Sequence, residues 1–138
     1  MAMCDARVRV LVVEDCPDTA ESLRVLLGMW GFDVRVARTG AAGLSIAAMF
    51  RPAVALIDLG LPGANGFEVA RSFQLLPADE LPILVAATGH VGKETRRRAW
   101  EAGFDHFVTK PFDPDYLRGL LSNAGCVSSD LCECSPVG

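Results

Sequence analysis

Apolar residues along the chain keep two alternating rhythms. Residues 8–13 (VRVLVV) form a nearly unbroken β-branched run, the pattern of a strand covered on both faces. Residues 17–30 then place Ala20, Leu23, Leu26, Leu27 and Trp30 at helical spacing, and Gly31 follows where a helix commonly ends on glycine. Residues 32–37 (FDVRVA) alternate, which predicts a more exposed, edge-like strand. An Ala-rich helix over 39–50, carrying Leu44, Ile46, Ala47 and Phe50, leads to a second buried strand at 53–57 (AVALI). Gly60, Pro62, Gly63, Asn65 and Gly66 break the pattern into a loop, and helix resumes over about 67–76. A strand at 83–87, a charged helix over 93–102 stopped by Gly103, a strand at 104–109 and a helix over 114–123 complete the series.

Five strands alternating with five helices predict an α/β fold, with a parallel sheet, right-handed crossovers and helices on both faces. Nothing resembling an internal repeat or interdomain linker interrupts the alternation. Residues 7–123 therefore form one predicted domain, preceded by an extension (1–6) and followed by a flexible, Cys-containing tail (124–138) where periodicity lapses. At 138 residues the chain suits one domain of about 100–200 residues, with no room for a separate output module.

Composition narrows the function classes. With 51% apolar and 22% charged residues the chain is neither disordered nor a coiled coil. Seventeen acidic against thirteen basic residues give a net charge of −4, which disfavours general nucleic-acid binding. Arg96, Arg97 and Arg98 then read as a solvated helix face. No apolar run approaches the ~20 residues of a spanning helix. Asp5, Arg7 and Arg9 precede any apolar stretch, so a cytoplasmic protein without membrane partners is expected. Five cysteines (Cys4, Cys16, Cys126, Cys132 and Cys134) are an odd set without a disulfide pattern. Cys132 and Cys134 lack a second cysteine pair for a zinc site, and Cys16 reads as a small packing residue.

The polar residues that matter stand where the buried strands stop. The first ends in Glu14 and Asp15, the third in Asp58, the fourth in Thr88 and the fifth in Lys110. These are carboxyl ends, where open parallel sheets hold their ligand crevice. Crowded carboxylates repel, so such a site raises a pKa or binds a hard cation, and an oxygen-only set favours Mg²⁺ (or Mn²⁺). With the acids offset, one carboxylate can act as a nucleophile toward phosphorus, while ammonium and hydroxyl groups neutralise the phosphoryl oxygens.

These residues resemble the receiver domain of two-component response regulators, in the manner of chemotaxis regulators. The likeness is carried by VLVVED (10–15), ALIDLGLPGANG (55–66), VAATGH (85–90), EAGFD (101–105) and FVTKPF (107–112). The spacings also fit: 43 residues from Asp15 to Asp58, 30 to Thr88 and 22 to Lys110. GLPGANG, TGH and EAGFDHFVTKPF look especially like receivers associated with hybrid histidine kinases. The resemblance implies a flavodoxin-like (βα)5 three-layer sandwich with strand order 2-1-3-4-5. It implies Asp58 as phosphoacceptor, with Mg²⁺ held by Asp15, Asp58 and the carbonyl of Gly60 directly, and by Glu14 through water. Thr88 and Lys110 would bind the phosphoryl group, Thr88 and Phe107 would form the switch, and the Lys110–Pro111 peptide would be cis. Implied partners are a histidine kinase or phosphotransfer protein upstream and a protein partner reached through the fourth helix, fifth strand and fifth helix; a homodimer on that face is compatible.

Three departures accompany the likeness. Gly60, two residues after Asp58, has no side chain, and His90 stands two residues after Thr88; both flank the path of an attacking water and are expected to set phosphoryl lifetime. Phe107 lacks the hydroxyl of a Tyr. Two alternatives stand beside the receiver reading: a non-phosphorylated pseudo-receiver serving as an interaction module, and an Asp-nucleophile phosphatase. The phosphatase would be expected to carry a second acid at Gly60, and P-loop and GxGxxG motifs are absent. Beyond self-phosphorylation and autodephosphorylation at Asp58, no enzymatic turnover is expected.

Overall fold

The computed structural model describes residues 8–60, 66–89, 92–110 and 112–127. The elements are β1 (Arg9–Val13), α1 (Pro17–Met29), β2 (Asp33–Ala37), α2 (Gly40–Phe50), β3 (Val54–Asp58), α3 (Gly66–Phe73), a 3₁₀ turn (Ala78–Glu80), β4 (Ile83–Thr88), α4 (Lys93–Ala102), β5 (His106–Thr109) and α5 (Pro114–Val127). All five strands are parallel, in the order β2-β1-β3-β4-β5, as the fold class predicts. No helix among the described residues is long and apolar enough to cross a membrane.

The period-two alternation of the strands divides the core in two. Leu11, Val13, Ala55, Ile57, Leu84 and Ala86 face one side, where they meet Ala47 of α2, Phe73 of α3 and Ala99 of α4. Val10, Val12, Val54, Leu56, Val85, Ala87 and Val108 face the other, against Leu23 and Leu27 of α1 and Leu117 and Leu121 of α5. Every residue of β3 is buried, which is why AVALI reads as an unbroken apolar run. β2, at the sheet edge, is mostly half-exposed, as its alternation predicts.

Element ends follow capping chemistry. Thr39 caps α2 by accepting the Ala42 N–H at 3.1 Å. Gly103 closes α4 at φ 104°, a left-handed conformation that side chains rarely adopt. Predicted boundaries shift at α3, at α5 and at β5, which starts at His106 rather than at residue 104. α3 ends at Phe73, and Gln74, Leu75 and Leu76 finish its last turn with tighter backbone bonds. α5 continues to Val127, because a single glycine such as Gly125 costs a helix only about 1 kcal/mol and does not end it. Asp105 substitutes for a strand residue before β5: its Oδ2 accepts the Leu84 N–H at 2.9 Å, while its own N–H donates to Leu84 O.

Candidate functional site

The strand register brings the polar strand ends to one rim. Val13 pairs with Ile57, Asp58 with Ala87, and Thr88 with Thr109, so the residues after β1 and β5 stand beside the last residues of β3 and β4. Glu14, Asp15 and Asp58 each contribute a carboxylate oxygen to a group lying within 4.8 Å of one another. Glu14 is 3% exposed, Asp58 8% and Thr88 9%, the buried polar residues of the molecule's described part. The Lys110 N–H donates to Thr88 O at 2.8 Å, which fixes the start of the lysine at the same rim.

Lys110 enters the cluster from β5. Its Nζ lies 3.0 Å from Glu14 Oε1 and 3.3 Å from Asp58 Oδ1. Glu14 uses its second oxygen to accept the Cys16 N–H at 3.3 Å, holding the bend between β1 and α1. Burial raises the Glu14 pKa above the usual carboxylate value, partly offset by the Lys110 hydrogen bond and reinforced by the charge of Asp58. Burial alone would lower Lys110, but its bond to Glu14 and the nearby Asp58 charge outweigh it, and its pKa is raised.

Two described glycines, Gly60 and Gly66, stand on either side of residues 61–65. Gly60 N–H donates to Asp58 Oδ1 at 3.0 Å and orients that carboxylate. Among the described residues, a Cβ on Gly60 would approach nothing nearer than Asp58 Oδ1 at 3.7 Å. Gly66 is the opposite case: a Cβ would meet Asp58 O and Leu59 Cα at 2.7 Å. Only glycine lets α3 start this close to the end of β3. A groove of about 400 Å³, lined by Asp18, Thr19, Ser22, Leu23, Leu26, Lys110 and Phe112, runs from the cluster along α1.

Phe107 lies apart from the acids, half-buried on β5. Its ring meets Trp100 of α4 edge to face, with centroids 6.1 Å apart, and the Arg96 guanidinium lies 5.8 Å from its centre. Together with Tyr116 they line a cavity of about 440 Å³ between α4 and α5. Of the other predicted site residues, His90 and Pro111 lie outside the described residues, as do residues 61–65 and the tail cysteines 132 and 134.

Sequence reading placed Cys16 in the packing, and the structure corrects this: the thiol is exposed at the start of α1. A residue just past a strand's carboxyl end leaves the sheet for the rim, so its small size says nothing about burial. Its pKa is lowered by hydrogen bonds from Thr19 and Asp18 at the helix start. Arg38 was absent from the sequence reading; its Nε donates to Asp15 O at 3.2 Å. Arg98 is more than a solvated cation, since its guanidinium stacks 4.3 Å from the centre of the buried Phe67 ring.

Comparison with known proteins fits this geometry. A DNA-binding response regulator, MtrA of Mycolicibacterium smegmatis, is 39% identical over 111 residues, covering 80% of this chain and 47% of that protein. The chain thus spans about half the length of that regulator. An uncharacterized 14.6 kDa protein of Leptolyngbya boryana is 35% identical over 116 residues, covering 84% of this chain and 88% of its own length. The receiver domain of a sensor histidine kinase from Pseudomonas aeruginosa, solved with a magnesium ion coordinated in the active site cleft, superposes with a TM-score of 0.79 at 23% identity. That alignment covers 88% of this chain and 99% of the other. The family model of the response regulator receiver domain matches residues 10–122, and the chain belongs to that family.

Proposed function

We propose that this receiver accepts a phosphoryl group on Asp58 and signals by the resulting change at its α4–β5–α5 face. The observation that carries the reading is the position of Lys110, whose ammonium spans Glu14 and Asp58 at the sheet rim. The donor would be a phosphohistidine of a histidine kinase or phosphotransfer protein. In the transfer the N–P bond breaks, an O–P bond forms to the Asp58 carboxylate, and the imidazole leaves with the electron pair and regains a proton. Lys110 and Thr88 then bind phosphoryl oxygens, and the groove along α1 that Lys110 lines offers the donor a surface beside the acceptor.

The donor set fits a hard divalent ion: three carboxylates, with no thiolate or imidazole in the cluster among the described residues. Glu14, Asp15, Asp58 and the carbonyl of Gly60 would hold Mg²⁺ or Mn²⁺. Bound there, the ion supplies positive charge that offsets the carboxylates and the phosphoryl oxygens. Without it, the chain's own cation at this spot is Lys110, which keeps the Glu14 and Asp58 charges compensated.

The test is incubation with acetyl phosphate or phosphoramidate, followed by intact mass. One phosphoryl adduct is expected with Mg²⁺ and none with a chelator, and Asp58→Asn abolishes it. An adduct that persists on the Asp58→Asn protein at the same stoichiometry contradicts the assignment.

A further inference from the structure

We propose that Arg38 is a positioning residue for the metal site, acting through the backbone of Asp15. The proposal rests on the reading of Glu14, Asp15 and Asp58 as that site. Asp15 sits in the bend between β1 and α1. On its amino side the chain is anchored: Val13 pairs with Ala37, and the Glu14 N–H donates to Ala37 O at 2.9 Å. On its carboxyl side the Cys16 N–H makes a long 3.3 Å contact to Glu14 Oε2, and Cys16 O accepts the Ala20 N–H at 2.9 Å where α1 begins. Between these anchors Arg38, the residue that follows β2, holds the main chain of Asp15 itself by donating its Nε–H to Asp15 O at 3.2 Å.

What Arg38 does not do gives the bond its meaning. Arg24, Arg35, Arg51 and Arg97 each pair with a carboxylate, whereas Arg9 and Arg38 donate Nε–H to main-chain carbonyls, Arg9 to Arg51 O at 3.1 Å. Arg38 forms no ion pair among the described residues, although three acids stand near Asp15's bend. It gives its N–H instead to the main-chain carbonyl of one of them. A guanidinium Nε–H has a fixed direction in its plane, so this bond sets where the bend lies. The Asp15 carboxylate then needs less ordering when a cation arrives.

Position and charge make opposite predictions, which renders the idea testable. A cation beside a divalent site repels the ion, so charge alone would make metal binding tighter when Arg38 is removed. Loss of one positioning hydrogen bond would make it weaker, by about three- to tenfold. The experiment is titration of the full chain with Mg²⁺ alone by calorimetry, repeated with Mn²⁺ by electron paramagnetic resonance, for wild type, Arg38→Ala, Arg38→Lys and Asp15→Asn. Expected is several-fold weaker binding in both Arg38 variants, because lysine keeps the charge but lacks the in-plane Nε–H. Melting in chelator should leave both close to wild type, since Arg38 is exposed. Arg38→Ala binding as tightly as wild type or tighter overturns the proposal, and so does full rescue by Arg38→Lys. A wild type that binds no metal, or an Asp15→Asn variant that binds as well as wild type, overturns the underlying site reading instead.

Discussion

Lys110 Nζ and Glu14 Oε1 lie 3.0 Å apart, joining residues 96 positions distant in the chain across the rim of the sheet. Glu14 has a side chain only 4% exposed, so its charge has little water to stabilise it. The ammonium is its main compensation, shared with Asp58 at 3.3 Å. Removing one partner of a fully buried pair costs roughly 3–5 kcal/mol. Lys110 is 28% exposed, so we expect Lys110→Ala to lower metal-free stability by a smaller ~1–2 kcal/mol. Urea unfolding in chelator measures this, and added Mg²⁺ should recover part of the loss. An Ala variant as stable as wild type without metal would show that the pair contributes nothing to the fold.

The same cluster fixes a sign for the pH dependence. The folded-state pKa of Glu14 is raised above its ordinary 4.5, chiefly by burial. The folded protein therefore binds a proton there that the unfolded chain has released. Stability from this group is fully present below about pH 4.5 and lost as pH rises through the raised value. Lys110 adds a second loss at alkaline pH, since its raised pKa favours folding below 10.5 and ceases to do so above the folded value. Metal-free urea midpoints should accordingly fall as pH rises above about 4.5 through the raised Glu14 value. With saturating Mg²⁺, which requires ionised carboxylates, the decline should shrink or reverse. Metal-free midpoints that climb with pH across this window would contradict the sign.

The sequence made most of the scaffold legible because each strand's alternation encodes its own two faces. Val10 and Val12 against Leu11 and Val13 already separate the layers, and the polar residue at each strand end marks the rim. Glu14, Asp15, Asp58, Thr88 and Lys110 could be placed together because a parallel sheet aligns all its carboxyl ends. Contacts made sideways between elements were not legible. Arg38 reaches Asp15, and Asp105 reaches Leu84, through side chains whose periodicity only says that they are polar. Cys16 shows the same limit, since a residue in a turn carries no rhythm from which exposure can be read.

Gly60 puts no side chain beside the Asp58 carboxylate, and among the described residues nothing else crowds that side. A side chain there begins at an ordinary 3.7 Å contact, so substitution should not disturb the fold. Gly60→Leu would cover part of the approach an attacking water needs to reach a phosphorylated Asp58. We expect hydrolysis of the adduct to slow by about tenfold, equivalent to ~1.4 kcal/mol on the barrier. The decay of the adduct mass after removal of the donor measures it. Unchanged decay in a normally folded Gly60→Leu protein would place the water's path elsewhere.

Trp100 gives the α4–β5–α5 face a built-in reporter. It is 53% exposed, yet its ring rests edge to face on Phe107, which also has the Arg96 guanidinium beside it. Phe107 pairs in register with Ala86, two residues before Thr88. If phosphorylation at Asp58 draws Thr88 toward the phosphoryl group and Phe107 follows inward, Trp100 loses its edge-on partner and becomes more solvated. Trp30 is the other indole in the chain, set edge to face against Phe32. In a Trp30→Phe background we therefore expect emission from Trp100 to shift to longer wavelength on treatment with Mg²⁺ and a phosphoryl donor. Asp58→Asn should abolish the shift, and Phe107→Ala should start from the shifted position and not respond. A phosphorylated protein whose Trp100 emission matches the untreated one would mean that the Phe107 ring does not move away from α4.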